Sequence, residues 1–65
     1  MGEITDKQKD IIQLLAKGLT AKEIGKNLGN SEFTIHSVKA SLMMKHNAKN
    51  TANLIYIAMR KGWIL

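Results

Sequence analysis

The chain has no cysteine and no proline, only one residue each of Trp, Tyr and Phe, and no acidic residue after Glu32. Each absence excludes something. Without cysteine, neither a disulfide nor a thiolate metal site holds the 65 residues together. Stability must then come from packing, in a domain small enough to bury only about 60% of the surface its unfolded chain exposes. That composition suits a reducing cytoplasm, and a chain so short leaves little room for an enclosed catalytic cavity. No apolar run approaches the roughly 20 residues that span a bilayer. The N-terminus opens on polar Glu3, Thr5, Asp6 and Lys7, not on an apolar signal segment. A soluble, unexported, cytoplasmic protein with no membrane partner is expected.

The missing acids say more. Residues 1–32 contain five lysines and five acids, whereas Lys39, Lys45, Lys49, Arg60 and Lys61 follow with none, so the whole net charge of +5 falls in the second half. Such a half suits an acidic partner such as nucleic acid, although charge alone fits an ordinary basic protein equally well.

With no proline, caps and glycines punctuate the chain. Thr5 with Gln8 has the form of a capping box, and Ile4 is placed to staple back onto the next turn. Ile11, Ile12, Leu14 and Leu15 then supply an apolar stripe that ends at Gly18. Thr20 with Glu23 forms a second box and opens a short helix to Leu28, which Gly29 ends. Ser31 caps a third helix reaching about Lys45, and the polar run from His46 to Asn50 is a loop. Asn50 or Thr51 caps a fourth helix, to about Lys61, and Gly62 leaves Trp63-Ile64-Leu65 as an apolar tail. The fold class is therefore all-α: a single domain over residues 1–65 of four helices with short connections. Only Gly29 and Asn30 separate the second helix from the Ser31 cap. A turn this tight sets two helices at a steep angle, the helix-turn-helix arrangement whose second member enters a DNA major groove.

Nearly the whole chain resembles the C-terminal DNA-binding domain of the LuxR/NarL/GerE family of bacterial transcription regulators. Ile4-Thr5-Asp6-Lys7-Gln8 is similar to the family's opening Leu-Thr-x-Arg-Glu, Lys22-Glu23-Ile24 to its Lys-Glu-Ile signature, and Ser31-Glu32-Phe33-Thr34-Ile35 to the Ser-Glu-x-Thr-Val that starts its recognition helix. Lys45, Ala58 and Gly62 match further positions, with no gap needed. The departures are Gln8 for the family's Glu, Thr51 for Arg, Asn30 for an apolar residue, His36 for a basic one, Val38 for His and His46 for Leu. Gln8 and Thr51 replace both members of an ion pair, which leaves no single charge stranded.

The resemblance implies a four-helix LuxR-type helix-turn-helix domain and a non-enzymatic, stand-alone transcription regulator. It would be bacterial or phage-encoded, nucleoid-associated, in need of no cofactor, and either naturally minimal or excised from a longer protein. On a wheel of the third helix, Ile35, Val38 and Leu42 face the core, while Phe33, His36, Ser37, Ala40, Met43 and Met44 face outward. His36 and Ser37 are the expected base readers in double-stranded DNA, with Ala40 against a thymine methyl. Thr20, Lys22, Ser31, Thr34, Lys39 and Lys45 are the expected phosphate contacts, on the order of four to six phosphates per subunit. The run from Leu54 to Met59 is apolar all round. Leu54, Ile55 and Ala58 would pack inside, and Tyr56, Ile57 and Arg60 would form a homodimer contact on a dimerisation helix of about residues 51–61.

Plainer readings stand beside these. Ser31 and Thr34 serve as caps in any case, Lys22 and Lys39 equally suit solvated charges, and His46 reads as a partly buried packing residue. Tyr56 could instead cover the Trp63 tail. The two histidines have no Cys or acid at metal-ligand spacing, and nothing supplies an orienting acid for a Ser/His pair. A protein-binding module that pairs through the fourth helix with another regulator or an RNA polymerase subunit is the alternative function.

Overall fold

Each helix begins where a hydroxyl or amide side chain stands in for a missing helical carbonyl. The computed structural model describes residues 4–64; Glu3 and Leu65, from the expected polar opening and apolar tail, lie outside them. Within that range the elements are α1 (Asp6–Ala16), α2 (Ala21–Leu28), α3 (Glu32–Lys45) and α4 (Thr51–Arg60), with no strand among the described residues. Thr5 and Thr20 accept from the backbone N–H of Gln8 and Glu23 at 3.1 and 3.2 Å, and those side chains accept in return from the cap N–H groups at 2.9 and 2.8 Å. Both capping boxes are thus formed as expected. Asn50, not Thr51, caps α4, accepting from the Asn53 N–H at 2.8 Å. The Asn53 side chain accepts in turn from the Lys49 N–H at 2.9 Å.

The helix ends repeat one closure. After α1, α2, α3 and α4, the backbone N–H groups of Leu19, Asn30, Ala48 and Trp63 reach back to the carbonyls of Leu14, Gly25, Met43 and Ala58 at 2.8 to 3.1 Å. That six-residue return requires a residue with positive φ at its apex. Glycine fills it three times, and Asn47 takes φ 58° after α3, a conformation asparagine tolerates better than most residues.

The core has two parts, and adjacent isoleucines of α1 feed one each. Ile11 packs with Ala21, Ile24 and Ile35, flanked by Leu14, Leu15, Leu19 and Leu28. Ile12, about 100° further round the helix, packs with Leu42, Leu54, Ala58 and Ile64. Val38 touches both clusters. Ile35, Val38 and Leu42, three and four apart, therefore fasten α3 at both ends and in the middle. Ile4 packs against the cluster that contains Ile12 of its own helix, and the position a staple pair would use is Lys9.

Two expectations about facing need correction. Met43 does not face outward: it is half-buried against the Ile12 cluster, an irregular gap that its unbranched side chain suits. Ile57 is half-buried too, because it lies beside Ala58, which faces inward. The exposed stripe of α4 is instead Ala52, Tyr56 and Met59. Tyr56 does not cover the tail. Trp63 meets the His46 ring edge-on at 4.8 Å, and Ile64 is buried in the core. His46 is the half-buried packing residue expected of it.

Of the described glycines, only Gly25 has backbone pressed against it, at the turn. A Cβ on Gly25 would lie 2.5 Å from the Asn30 carbonyl oxygen and 3.3 Å from the Ser31 carbonyl carbon. Neither is the end of a flexible side chain. Gly25→Ala is accordingly expected to destabilise the domain by about 1 to 3 kcal/mol, against the gain of about 0.5 to 1 kcal/mol that alanine brings to an ordinary helix interior. Thermal unfolding beside the parent checks this, and a raised Tm would show that the turn is not so constrained.

Candidate nucleic-acid interface

The outward side of α3 is the reverse of its packing. Because Ile35, Val38 and Leu42 lie inward, Phe33, Ser37, Ala40 and Met44, again three and four apart, form the diametrically opposed stripe, and all four are exposed. Phe33 and Met44 are 79% and 81% exposed. Lys39 and Lys45 lie roughly 120° to either side of that stripe at about 100° per residue. Lys45 is exposed, and Lys39 is half-buried.

His36 is exposed on the edge of the stripe, and its Nε2 lies 3.4 Å from Glu32 Oε2, one turn back. Reading the sequence did not find this pairing, although the spacing of four that makes it is visible there. A base or phosphate that engages His36 must share it with this carboxylate.

At the start of α3, Ser31 Oγ accepts from the Thr34 N–H at 3.1 Å and lies 2.9 Å from the Thr34 hydroxyl. Thr34 is half-buried and Ser31 exposed. With Thr34 donating, Ser31 accepts twice and its own proton points outward, available to an anionic acceptor. Thr20 is also exposed, its oxygen engaged by the Glu23 N–H and its proton uncommitted, but the Glu23 carboxylate stands beside it at the same helix end. Each of these two helix starts thus carries an acid in its first turn, Glu23 in α2 and Glu32 in α3. Lys22 is exposed in the first turn of α2.

The chain matches the model of the luxR family of bacterial regulatory proteins over residues 3–58. It belongs to that family. The four helices and the tight turn before α3 make it a LuxR-type DNA-binding helix-turn-helix domain. It is similar to the transcriptional regulatory protein YdfI of Bacillus subtilis, 37% identical over 60 residues, which are 92% of this chain and 28% of the relative. An uncharacterized transcriptional regulatory protein of the same organism, YvfU, is 36% identical over 61 residues, or 94% of this chain and 30% of the relative. A putative transcriptional regulator of Pseudomonas aeruginosa is 39% identical over 57 residues, 88% of this chain and 28% of the relative. The chain thus spans less than a third of the length of these relatives. No solved structure matches it.

A shallow cleft of about 360 Å³ between α1 and α2 is lined by Asp10, Gln13, Leu14, Lys17, Asn27 and Leu28, none of which belongs to the interface above. Among the described residues no helix is long and apolar enough to cross a membrane.

Ser31 caps α3, and one pair of substitutions separates that role from any part in DNA binding. Ser31→Ala should lower stability by about 1 kcal/mol through loss of the cap, whereas Ser31→Asp, an equally good cap, should leave it within a few tenths. Both should weaken DNA binding, the aspartate more, since it sets a negative charge against phosphate. Undiminished binding by a stable Ser31→Asp variant would remove Ser31 from the interface.

Proposed function

We propose that the domain binds double-stranded DNA by laying the outward stripe of α3 in the major groove, and that it acts as a sequence-specific transcription regulator in the bacterial cytoplasm. The observation that carries this is the division of α3 into a fully packed stripe and an opposed, wholly exposed one with a lysine on each flank. A helix fastened at Ile35, Val38 and Leu42 is rigid enough to present side chains to base edges. Lys39, Lys45 and Lys22 neutralise phosphates on either wall of the groove, while Ser31 and the free N–H groups opening α3 bind a further one. Thr34 acts behind Ser31, orienting its hydroxyl, and Thr20 contributes a single donor beside α2. His36, Ser37 and Ala40 meet the bases.

The outer stripe of α4 supports a homodimer. Tyr56 and Met59 are 55% and 54% exposed, and Arg60 Nη1 reaches the Tyr56 hydroxyl at 3.5 Å with its guanidinium carbon 6.0 Å from the ring centre. A two-fold pair would bury this stripe against its own copy, with Ile57 at its edge, and so place two α3 helices on an inverted repeat. The same stripe would serve the alternative, a module that pairs with another regulator or an RNA polymerase subunit.

Salt titration tests the first reading. Affinity for DNA should fall steeply as salt rises, and Lys39→Ala should reduce the slope of log K against log salt by about one per site. Binding that is indifferent to salt would refute it. For the dimer, the parent should sediment as a concentration-dependent dimer and Tyr56→Glu as a monomer; a parent that stays monomeric at the highest attainable concentration refutes the two-fold arrangement.

A further inference from the structure

Phe33 is the only phenylalanine in the chain, and it packs against neither core cluster. It sits in the first turn of α3, two residues after the Ser31 cap, 79% exposed. The N-terminal part of a recognition helix is the part that reaches base edges. The centre of the outward stripe there is a phenyl ring, a hydroxyl and a methyl, from Phe33, Ser37 and Ala40. The single arginine, Arg60, is on α4, and the two lysines of α3 lie on its flanks. The usual bidentate reading of guanine is therefore absent from the middle of this face. What a phenyl and a methyl match in the major groove is the C5-methyl group of thymine.

We propose that Phe33, with Ala40, reads thymine methyl groups, so that this domain selects its site chiefly by apolar contact rather than by hydrogen bonds to guanine. The inference rests on the DNA-binding reading above and narrows it to a base. Duplex DNA, not an apolar protein surface, is the occupant because the half of the chain that follows Glu32 carries five Lys and Arg and no acid. Lys22, Lys39 and Lys45 are cations suited to phosphate walls, Ser31 offers a donor beside the ring, and Glu32 is turned to His36. Distances along the helix agree. Phe33 and Ala40 are about 10 Å apart along the axis and on one side of the helix, so a helix laid along the groove turns both to the bases.

The test begins with a selection of bound sequences from random duplexes. In the best-bound duplex each thymine is then replaced, one at a time, by deoxyuridine, which lacks only the C5-methyl. The parent is expected to lose about fourfold in affinity at one or more positions in each half-site, the effect of one buried methyl-sized group. Phe33→Ser is expected to bind the thymine and deoxyuridine duplexes equally at one of those positions, while Phe33→Leu keeps a preference. The exposure of residue 33 means that all three should unfold at the same temperature. A parent indifferent to every replacement, or a Phe33→Ser variant that keeps every preference, would overturn the proposal while leaving DNA binding in place. A selection that enriches no sequence, together with salt-independent affinity, would overturn both readings.

Discussion

The domain depends on how closely the turn before α3 can approach the back of α2. At Gly25 there is no room for even one carbon atom between the α2 backbone and the Asn30 carbonyl, and the Asn30 N–H closes the gap from the other side by donating to the Gly25 carbonyl at 2.8 Å. Gly29, at φ 75°, turns the chain between them. Three backbone features thus set the angle between α2 and α3 before any side chain packs. Ile24 and Ile35 then meet Ile11 across that angle. Were the turn looser, the same apolar residues could still cluster, but α3 would project from the body at a different pitch and its outer stripe would not be presented as a single ridge.

The two-part core explains how so small a domain holds its longest helix rigidly. One cluster lies under the first half of α3 and the other under the second, with Val38 shared. Because Ile11 and Ile12 are neighbours, α1 reaches both, and the clusters are coupled through one rigid element instead of a flexible link. The tail matters for the same reason. Ile64 enters the second cluster, and Trp63 lies against His46 just beyond the end of α3, so the C-terminal segment closes over the far end of the helix. Polar flaws remain at both ends of α3: Asn30 Oδ1 and His46 Nε2 are buried with no hydrogen-bond partner among the described residues, each a cost of about 1 to 3 kcal/mol. They stand at two of the positions where this chain departs from its family's usual apolar residues.

Caps and glycines make the fold legible in the sequence, because each is a local choice with a local signature. Thr5 with Gln8, Thr20 with Glu23, Ser31, and Gly18, Gly29 and Gly62 all act within a few residues of where they stand. The inward stripe of α3 is legible by spacing. What cannot be read is set by partners distant in sequence. Gly25 looks like an ordinary weak helical position, since the clash that demands glycine comes from a carbonyl across the turn. Met43 and Ile57 look outward-facing because a wheel gives direction but not the height of the neighbouring loop or helix. The division of the core is hidden because adjacent apolar residues give no sign of belonging to different clusters. On the interface, the exposure of Phe33, His36, Ser37 and Ala40 follows from the wheel, but the hold of Glu32 on His36 does not.

That hold bears on how the reading face is divided. A histidine 3.4 Å from a carboxylate of its own helix approaches a phosphate-lined groove with a negative charge beside it. To turn its Nε2 to a base it must give up Glu32, whose carboxylate would then lie unpaired beside the groove. Ser37 has no such competing acid, and the apolar groups of Phe33 and Ala40 have no partner to give up. Position on the stripe and the absence of a competing partner therefore rank the candidates in the same order, with Phe33, Ser37 and Ala40 ahead of His36. Under the proposed reading, specificity would rest on shape and methyl contact at the middle of the helix, and the lysines on its flanks would supply affinity that does not distinguish one sequence from another.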